Sequence, residues 1–264
     1  MNSKISSLTK PMPIIFFGHG NPMNALNDNN YTREWARSLE WLPCKPQAIV
    51  CISAHWETEG TRITSGNAIQ KTIHDMYGFP PDLYAIRYSP SGDEKLVKRI
   101  RELLPDAQPD NSWGLDHGTW CILRHIFPNA DVPVIQLSID MKKNLQQHFA
   151  LAQKLSPLRN ENILIIGSGN IVHNIRRMDW SKEGSGYPWA IEFNNTIKEA
   201  ISNRNYQLIM NYKQINGGKE SVPTEEHFIP LIYVLALQKS DESAKFFTDS
   251  LDLGSFSMTS VLIN

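Results

Sequence analysis

The sequence predicts a single α/β domain with a mostly parallel central sheet that is flanked by helices. Two observations predict this fold class. Four short apolar runs are continuous rather than alternating, which is typical of strands covered on both faces. Segments with apolar residues at i, i+3 and i+4 lie between these runs, so strand and helix alternate along the chain as crossover connections require.

The elements follow in order along the chain. The predicted strands are PIIFFG at 13–18, QAIVCISA at 47–54, PVIQLSI at 133–139 and NILIIGSG at 162–169. The predicted helices cover 32–42, 91–104, 118–127, 144–158 and 189–203. By composition, 181–188 and 216–223 are loops, and neither is long enough to separate domains. We therefore expect one domain over residues 1–264.

Composition and charge limit the class of protein. The 264 residues carry a formal net charge of -1 and no long run of Lys or Arg, which disfavours a nucleic-acid or membrane partner. The three cysteines are odd in number and widely spaced, which indicates a reducing compartment and no disulfide framework. Residues 1–10 lack the apolar core of a signal peptide, and the longest apolar run, 228–237, is shorter than the ~20 residues of a membrane span. We expect a soluble cytoplasmic protein; the sequence leaves its oligomeric state open.

Three histidines follow predicted strands. His19 comes directly after the first strand, His55 after the second, and His173 after the fourth strand and a short turn. Ligands of open α/β sheets gather at the carboxyl ends of the strands. Three strands that each deliver a histidine to that edge predict a shared site there.

A fourth histidine, His227, lies in PTEEHFIPLIYVLAL. Thr224 is the predicted N-cap of a helix, which would put His227 in the first helical turn. The positive field of a helix N-terminus disfavours imidazolium and keeps the ring neutral. Only a neutral imidazole binds a metal, so this position suits a ligand.

The remaining histidines are less informative. His117, between glycine-bearing turns, is as consistent with a cap as with a catalytic role, and Asp116 beside it is a helix-start residue. His74, in an aromatic loop, either lines a pocket or closes a turn. His125 and His148 lie on amphipathic segments and are interpreted as surface or satisfied histidines.

A cluster of neutral imidazoles suits zinc, iron, copper or nickel, and does not suit magnesium or calcium. His19, His55 and His227 supply three ligands and leave an open position, which is typical of a catalytic metal. His173 is then a fourth ligand or a general base. The GSGN stretch at 167–170 lacks both the phosphate-loop and the GxSxG patterns, so Ser168 is not predicted as a nucleophile.

Six motifs resemble one family. They are GHGNPMNAL, SAHWET, IHDMYGFP, WGLDHGTW, GSGNIVHN and PTEEHFIPLIYVLA, and they occur in order over nearly the whole chain. They resemble the class III extradiol ring-cleaving dioxygenases (LigB-like), most of all the bacterial branch related to the 4,5-DOPA extradiol dioxygenases. The resemblance implies one catalytic domain that cleaves a catechol with O2.

The resemblance also implies roles for the histidines. His19, His55 and His227 would bind one divalent metal, with His173 next to it as a ligand or as the base that removes a catechol proton. His117 would lie in the pocket and position substrate or oxygen. Ring-cleaving oxygenases usually hold iron with two histidines and a carboxylate. An all-histidine set is more typical of zinc, so we expect Zn²⁺ as isolated and Fe²⁺ for oxygenase activity.

Two other functions stay open at this point. A zinc hydrolase could use a metal-activated water with His173 or His117 as proton shuttle, and a non-enzymatic relative could keep the pocket for binding. Candidate pocket walls, each of which could equally belong to the core, are Trp56, Tyr77, Phe79 and Trp120. Arg176 and Arg177 are candidate cations for a carboxylated substrate.

Overall fold

The computed structural model describes residues 10–264. Residues 1–9, which belong to the segment predicted to lack a signal peptide, lie outside the described residues. Ten strands occur in the described part of the chain. They are β1 (Ile14–Gly18), β2 (Ala48–Thr58), β3 (Arg62–Thr64), β4 (Gln108–Asp110), β5 (Val134–Asp140), β6 (Ile163–Gly169), β7 (Ala244–Phe247), β8 (Leu251–Asp252), β9 (Phe256–Ser257) and β10 (Ser260–Ile263).

Nine α-helices connect these strands within residues 10–264. They are α1 (Asn30–Arg37), α2 (Pro81–Ala85), α3 (Glu94–Leu103), α4 (His117–Ile126), α5 (Leu145–Gln153), α6 (Pro188–Ser202), α7 (Tyr206–Met210), α8 (Gly218–Ser221) and α9 (Ile229–Ala236). No helix in this part of the chain is long and apolar enough to cross a membrane.

Eight strands form one sheet in the order β4-β3-β5-β2-β6-β1-β10-β7. The centre is parallel, since β2 pairs with β5 and β6, and β1 pairs with β6, all in parallel. The chain returns antiparallel only towards the edges, where β10 joins β1 and β7 and where β3 meets β5. The parallel centre places the carboxyl ends of β1, β2 and β6 side by side.

Both faces of the sheet are covered, as the continuous apolar runs predict. Ile14 and Phe16 of β1 pack into a core with α3, α5, α6 and α9. Ile15 and Phe17, which point the other way, pack with α1 and α4. The predicted α/β class with a mostly parallel sheet is confirmed.

All four predicted strands and all five predicted helices form, with shifted ends. The predicted helix at 32–42 is α1 followed by a 3-10 turn at Ser38–Trp41, and the one at 144–158 is α5 followed by a 3-10 turn from Ser156. One loop prediction is wrong in part, because α8 forms a single turn inside 216–223. Cys51 and Cys121 are buried, Cys44 is exposed, and all three thiols are free.

Candidate metal centre

Five histidines gather at the carboxyl edge of the central strands. The rings of His19 and His55 have centroids 5.1 Å apart, and His227 lies 5.3 Å from His19 and 4.9 Å from His55. His117 lies 3.9 Å from His55, and His173 lies 3.4 Å from His227. The sheet therefore brings together the four histidines predicted to bind or flank a metal and His117, whereas His74 lies outside this cluster.

His19 follows β1, and its backbone N–H donates to the carbonyl of Gly169 at the end of β6 (3.1 Å). Its Nδ1 lies 2.9 Å from Ser168 Oγ. The Ser168 hydroxyl donates its own hydrogen to the carbonyl of Gly118 (2.5 Å), so its oxygen accepts from His19. His19 therefore carries its proton on Nδ1 and has a free lone pair on Nε2.

His55 lies inside β2 rather than after it. The register of β2 against β5 shifts between Ile52 and Glu57, and pairing resumes beyond the histidine, so the strand is longer than its apolar run. His55 Nε2 lies 3.2 Å from Nε2 of His19, and His55 Nδ1 lies 3.4 Å from Asp75 Oδ2. The carboxylate favours the proton on Nδ1, which leaves a second lone pair opposite that of His19.

The predicted helix start around His227 is wrong. α9 begins at Ile229, and Thr224 donates its hydroxyl to Glu226 instead of capping the helix (2.8 Å). Pro230 explains the difference, because proline lacks an N–H and is tolerated only in the first turn of a helix. His227 thus lies in the turn that enters α9.

The His227 ring is oriented by its neighbour in sequence. Its Nδ1 lies 3.0 Å from Glu226 Oε1, which can only accept from it when ionised. Its Nε2 is buried and has no hydrogen-bond partner among the described residues. The backbone comes close to β6 here, since a Cβ on Gly169 would lie 2.2 Å from the His227 carbonyl oxygen. Glycine at 169 is therefore needed for this contact.

These three rings fit a metal ion. Burial, followed by the neighbouring imidazoles, lowers the pKa values of His19 and His227, and burial and His117 lower that of His55, so the rings are neutral. Each places an acceptor at Nε2, and two of these acceptors face each other. Buried lone pairs without a donor are costly. A cation bound by nitrogen ligands removes that cost, and the outer hydrogen bonds fix each tautomer as metal sites require.

Two separate sets of side chains each have ligand atoms within 4.8 Å of one another. One is His19, His55 and His117, and the other is His173, Glu226 and His227. The first set differs from the predicted ligands because it contains His117. His117 directs Nδ1 to Asp75 Oδ2 (2.8 Å) and its backbone N–H to Asp75 Oδ1 (2.8 Å), so its Nε2 is left free in the same way as in the predicted ligands.

His173 lies next to His227, one of the three predicted ligands. Its ring stacks on His227 with an interplanar angle of 8°, and Phe256 meets it edge-on. Its backbone N–H donates to the Ser221 carbonyl (2.9 Å). Burial and nearby His117 lower the pKa of His173 to about 3, so the ring is neutral. A neutral, partly accessible imidazole can accept a hydrogen bond from a bound molecule.

Other predicted residues lie elsewhere or have other partners. His125 Nε2 donates to the Asn24 carbonyl, in line with its structural interpretation. His148 is neither at the surface nor fully satisfied: it is buried, its Nδ1 lies 3.2 Å from the Tyr233 hydroxyl, and its Nε2 has no hydrogen-bond partner among the described residues. His74 packs against Tyr84 and Trp120. Asp116 caps α4 at Thr119, which confirms it as a helix-start residue.

The candidate pocket residues differ among themselves. Trp120 is fully buried and donates to the Ile73 carbonyl, so it belongs to the core. Trp56 is buried and stacks on Trp113, whereas Tyr77 is 90% exposed. Arg177 pairs with Glu220, and Arg176 has no ion-pair partner among residues 10–264.

The sequence reasoning missed three residues that hold the rings: Asp75, Ser168 and Glu226. Ser168 had a signal, since a polar residue in an otherwise apolar buried strand needs a hydrogen-bond partner. Glu226 was visible only as a neighbour of His227. Asp75 lies in an irregular loop, where no periodicity indicates which way a side chain points.

Comparisons with known proteins agree with the geometry. Residues 12–262 match the family model described as the catalytic LigB subunit of aromatic ring-opening dioxygenase. The chain is 43% identical over 258 residues to a 4,5-DOPA dioxygenase extradiol of Escherichia coli K12, covering 96% of this chain and 94% of that protein. It is 35% identical over 247 residues to a protein of the same name from Beta vulgaris, covering 90% and 91%. A crystal structure of an uncharacterized Escherichia coli K12 protein superposes with a TM-score of 0.83 at 40% identity, covering 96% of this chain and all of that one.

Proposed function

The chain belongs to the family of the catalytic LigB subunit of aromatic ring-opening dioxygenases and is a metal-dependent extradiol ring-cleaving dioxygenase; from that premise we propose that it opens the ring of a DOPA-like catechol. The substrate class rests on the names of the relatives, which are 4,5-DOPA dioxygenases. Both atoms of O2 enter the product as the ring carbon–carbon bond beside the diol breaks. We propose that the whole chain, residues 1–264, is the catalytic domain.

One observation supports the assignment of the metal ligands. Nδ1 of His19, of His55 and of His227 each faces an outer partner, so Nε2 is the nitrogen that each ring has left to bind a metal. We propose these three as the ligands of a single divalent ion. The all-nitrogen donor set suits Zn²⁺ as isolated and Fe²⁺ as the working metal.

A divalent ion held by His19, His55 and His227 would supply the redox chemistry that the side chains lack. The chain contributes orientation and proton transfer. His173 stacks on the ligand His227 and is partly accessible, so it is placed to accept a catechol proton as substrate binds, or to act as a fourth ligand. His117, beside His55, is placed to position substrate or oxygen.

The substrate side chain needs its own recognition. Phe256, which is buried, places an apolar ring edge-on beside the proposed base His173. Because Arg177 is paired with Glu220, Arg176 is the remaining candidate of the two arginines for a substrate carboxylate. No basic surface run supports a nucleic-acid or membrane partner, and we propose that catechol and O2 are met in the cytoplasm.

Anaerobic reconstitution tests the proposal. The metal is removed by chelation, Fe(II) is added without oxygen, and L-DOPA and then air are admitted while O2 uptake and the visible spectrum are followed. We expect stoichiometric uptake and a yellow ring-opened product, and none with Zn(II) alone. The variant His125→Gln, outside the cluster, serves as the matched control and keeps activity. Absence of uptake with every catechol tried, in protein shown to hold iron, would contradict the proposal.

A further inference from the structure

Asp75 contacts His117 as well as the proposed metal ligand His55. It lies in the loop before α2, yet its side chain is only 12% exposed. Its Oδ1 accepts from the backbone N–H of His117, and its Oδ2 accepts from Nδ1 of the same residue, both at 2.8 Å. The same Oδ2 lies 3.4 Å from Nδ1 of His55. One carboxylate thus faces two imidazoles whose centroids are 3.9 Å apart.

The loop that carries Asp75 is fixed to the start of α4 by its backbone. Ile73 N–H donates to the Leu115 carbonyl, and Leu115 N–H donates to the Lys71 carbonyl, both at 2.8 Å. Trp120, inside α4, donates its Nε1–H to the Ile73 carbonyl. Asp75 is therefore held against the first residue of α4, where a negative charge also meets the free N–H groups of the helix.

The hydrogen bond decides where His117 carries its proton. A neutral imidazole has one donor and one acceptor nitrogen, and the partner of one nitrogen sets the other. A carboxylate accepts only, and the two oxygens of Asp75 already face two N–H groups of His117, one from the backbone and one from the ring. His117 consequently has Nδ1–H towards Asp75 and an acceptor at Nε2.

We propose that Asp75 is a positioning residue that holds both His117 and His55 in the Nδ1–H tautomer, so that Nε2 of His117 accepts a hydrogen bond in the substrate pocket while Nε2 of His55 remains a metal ligand. The expected effect of Asp75 on the turnover rate rests on the proposed function. The tautomers themselves do not depend on it.

Asp75→Asn separates this role from a structural one. The amide keeps the size of the carboxylate and can still accept from the His117 backbone N–H, but its other end donates, which forces Nδ1 of His117 to accept and moves the proton to Nε2. Asp75→Ala removes every contact but forces no tautomer. A structural role predicts that alanine is the more damaging change. The positioning role predicts that asparagine is at least as damaging as alanine to turnover, although it is less damaging to stability.

The tautomer is read by long-range ¹H–¹⁵N correlation spectra of ¹⁵N-histidine-labelled, zinc-loaded protein. We expect His117 to show a protonated Nδ1 in the wild type and a protonated Nε2 in Asp75→Asn. In the iron-loaded enzyme, kcat for L-DOPA should fall about 10²- to 10⁴-fold in Asp75→Asn, with a smaller change in KM. Asp93→Asn, at the N-cap of α3 and outside the cluster, is the matched control and should change neither.

Three outcomes would overturn the inference. They are a protonated Nε2 on His117 in the wild type, an unchanged tautomer in a folded Asp75→Asn protein, and an active Asp75→Asn beside an inactive Asp75→Ala. If no catechol is turned over by any form, the spectra still decide the tautomer, so failure of the proposed function and failure of this inference are distinguishable.

Discussion

The Nε2 atoms of His19 and His55 face each other at 3.2 Å, although the residues come from two different strands. The outer partners of both rings, Ser168 and Asp75, favour the proton on the far nitrogen. The lone pairs therefore point at each other in a buried place. This arrangement is stable when a cation is shared between the rings, so the metal preference is built into the hydrogen bonds behind them.

Ser168→Ala should weaken metal binding without removing a ligand. The change deletes the acceptor for His19 Nδ1–H, so the ring is free to rotate or to move its proton. Removing the hydrogen-bond partner of a metal-binding histidine typically lowers metal affinity 10- to 100-fold, and we expect a loss of about that size for Zn(II). Competition with a chromophoric chelator measures it. Ser138→Ala, another buried strand serine, is the control, because Ser138 bonds to Thr58 and Arg62 instead. Equal affinities of wild type and Ser168→Ala would contradict the prediction.

The third metal ligand, beside His19 and His55, is either His227 or His117, and the two assignments make opposite predictions. With His19, His55 and His227 as ligands, His227→Ala should lose most of the bound metal, whereas His117→Ala should keep close to one ion per chain. Metal analysis after dialysis against dilute Zn(II) measures this, with circular dichroism to show that both variants fold. Metal retained in His227→Ala and lost in His117→Ala would assign the third ligand to His117.

His173→Gln should separate proton transfer from metal binding. Glutamine keeps a polar group beside His227 but cannot take a proton at neutral pH. If His173 is the base, the variant keeps its iron and loses kcat by about 10²- to 10⁴-fold. Parallel iron analysis and O2-uptake rates decide between the two roles. Loss of the metal together with activity would identify His173 as a fourth ligand.

The sequence predicts the cluster better than it predicts the geometry that holds it. The positions of His19 and His173 are predictable because each follows the end of an apolar run. Since the carboxyl ends of parallel strands meet at one edge of the sheet, the two side chains are expected there together. The position of His55 inside β2 is not predictable in this way, because the apolar pattern does not indicate the register shift between β2 and β5. The start of α9 was readable from Pro230, whereas Asp75 reaches its partners through a loop, where tertiary contacts alone set the direction of a side chain.

His148 gives a pH dependence of stability that is separate from the metal centre. It is fully buried in α5 beside the Tyr233 hydroxyl, and burial lowers its pKa to about 4 from a usual value near 6.5. Between these values the unfolded chain binds a proton that the folded chain does not. The free energy of unfolding should therefore fall as pH drops from about 6.5 towards 4, with a slope approaching 1.4 kcal/mol per pH unit from this residue, and no contribution above pH 7.

Urea unfolding of chelator-treated protein at a series of pH values measures the effect as a difference between wild type and His148→Gln, because the other histidines titrate in both. We expect the two curves to diverge above pH 4 and to run parallel above pH 7, with the variant less sensitive to acid. Tyr233→Phe removes the hydroxyl but keeps the buried imidazole, so it should be less stable than wild type with the same slope. Parallel curves for wild type and His148→Gln between pH 4 and 6.5 would show that His148 is protonated in the folded state, against the effect of its burial.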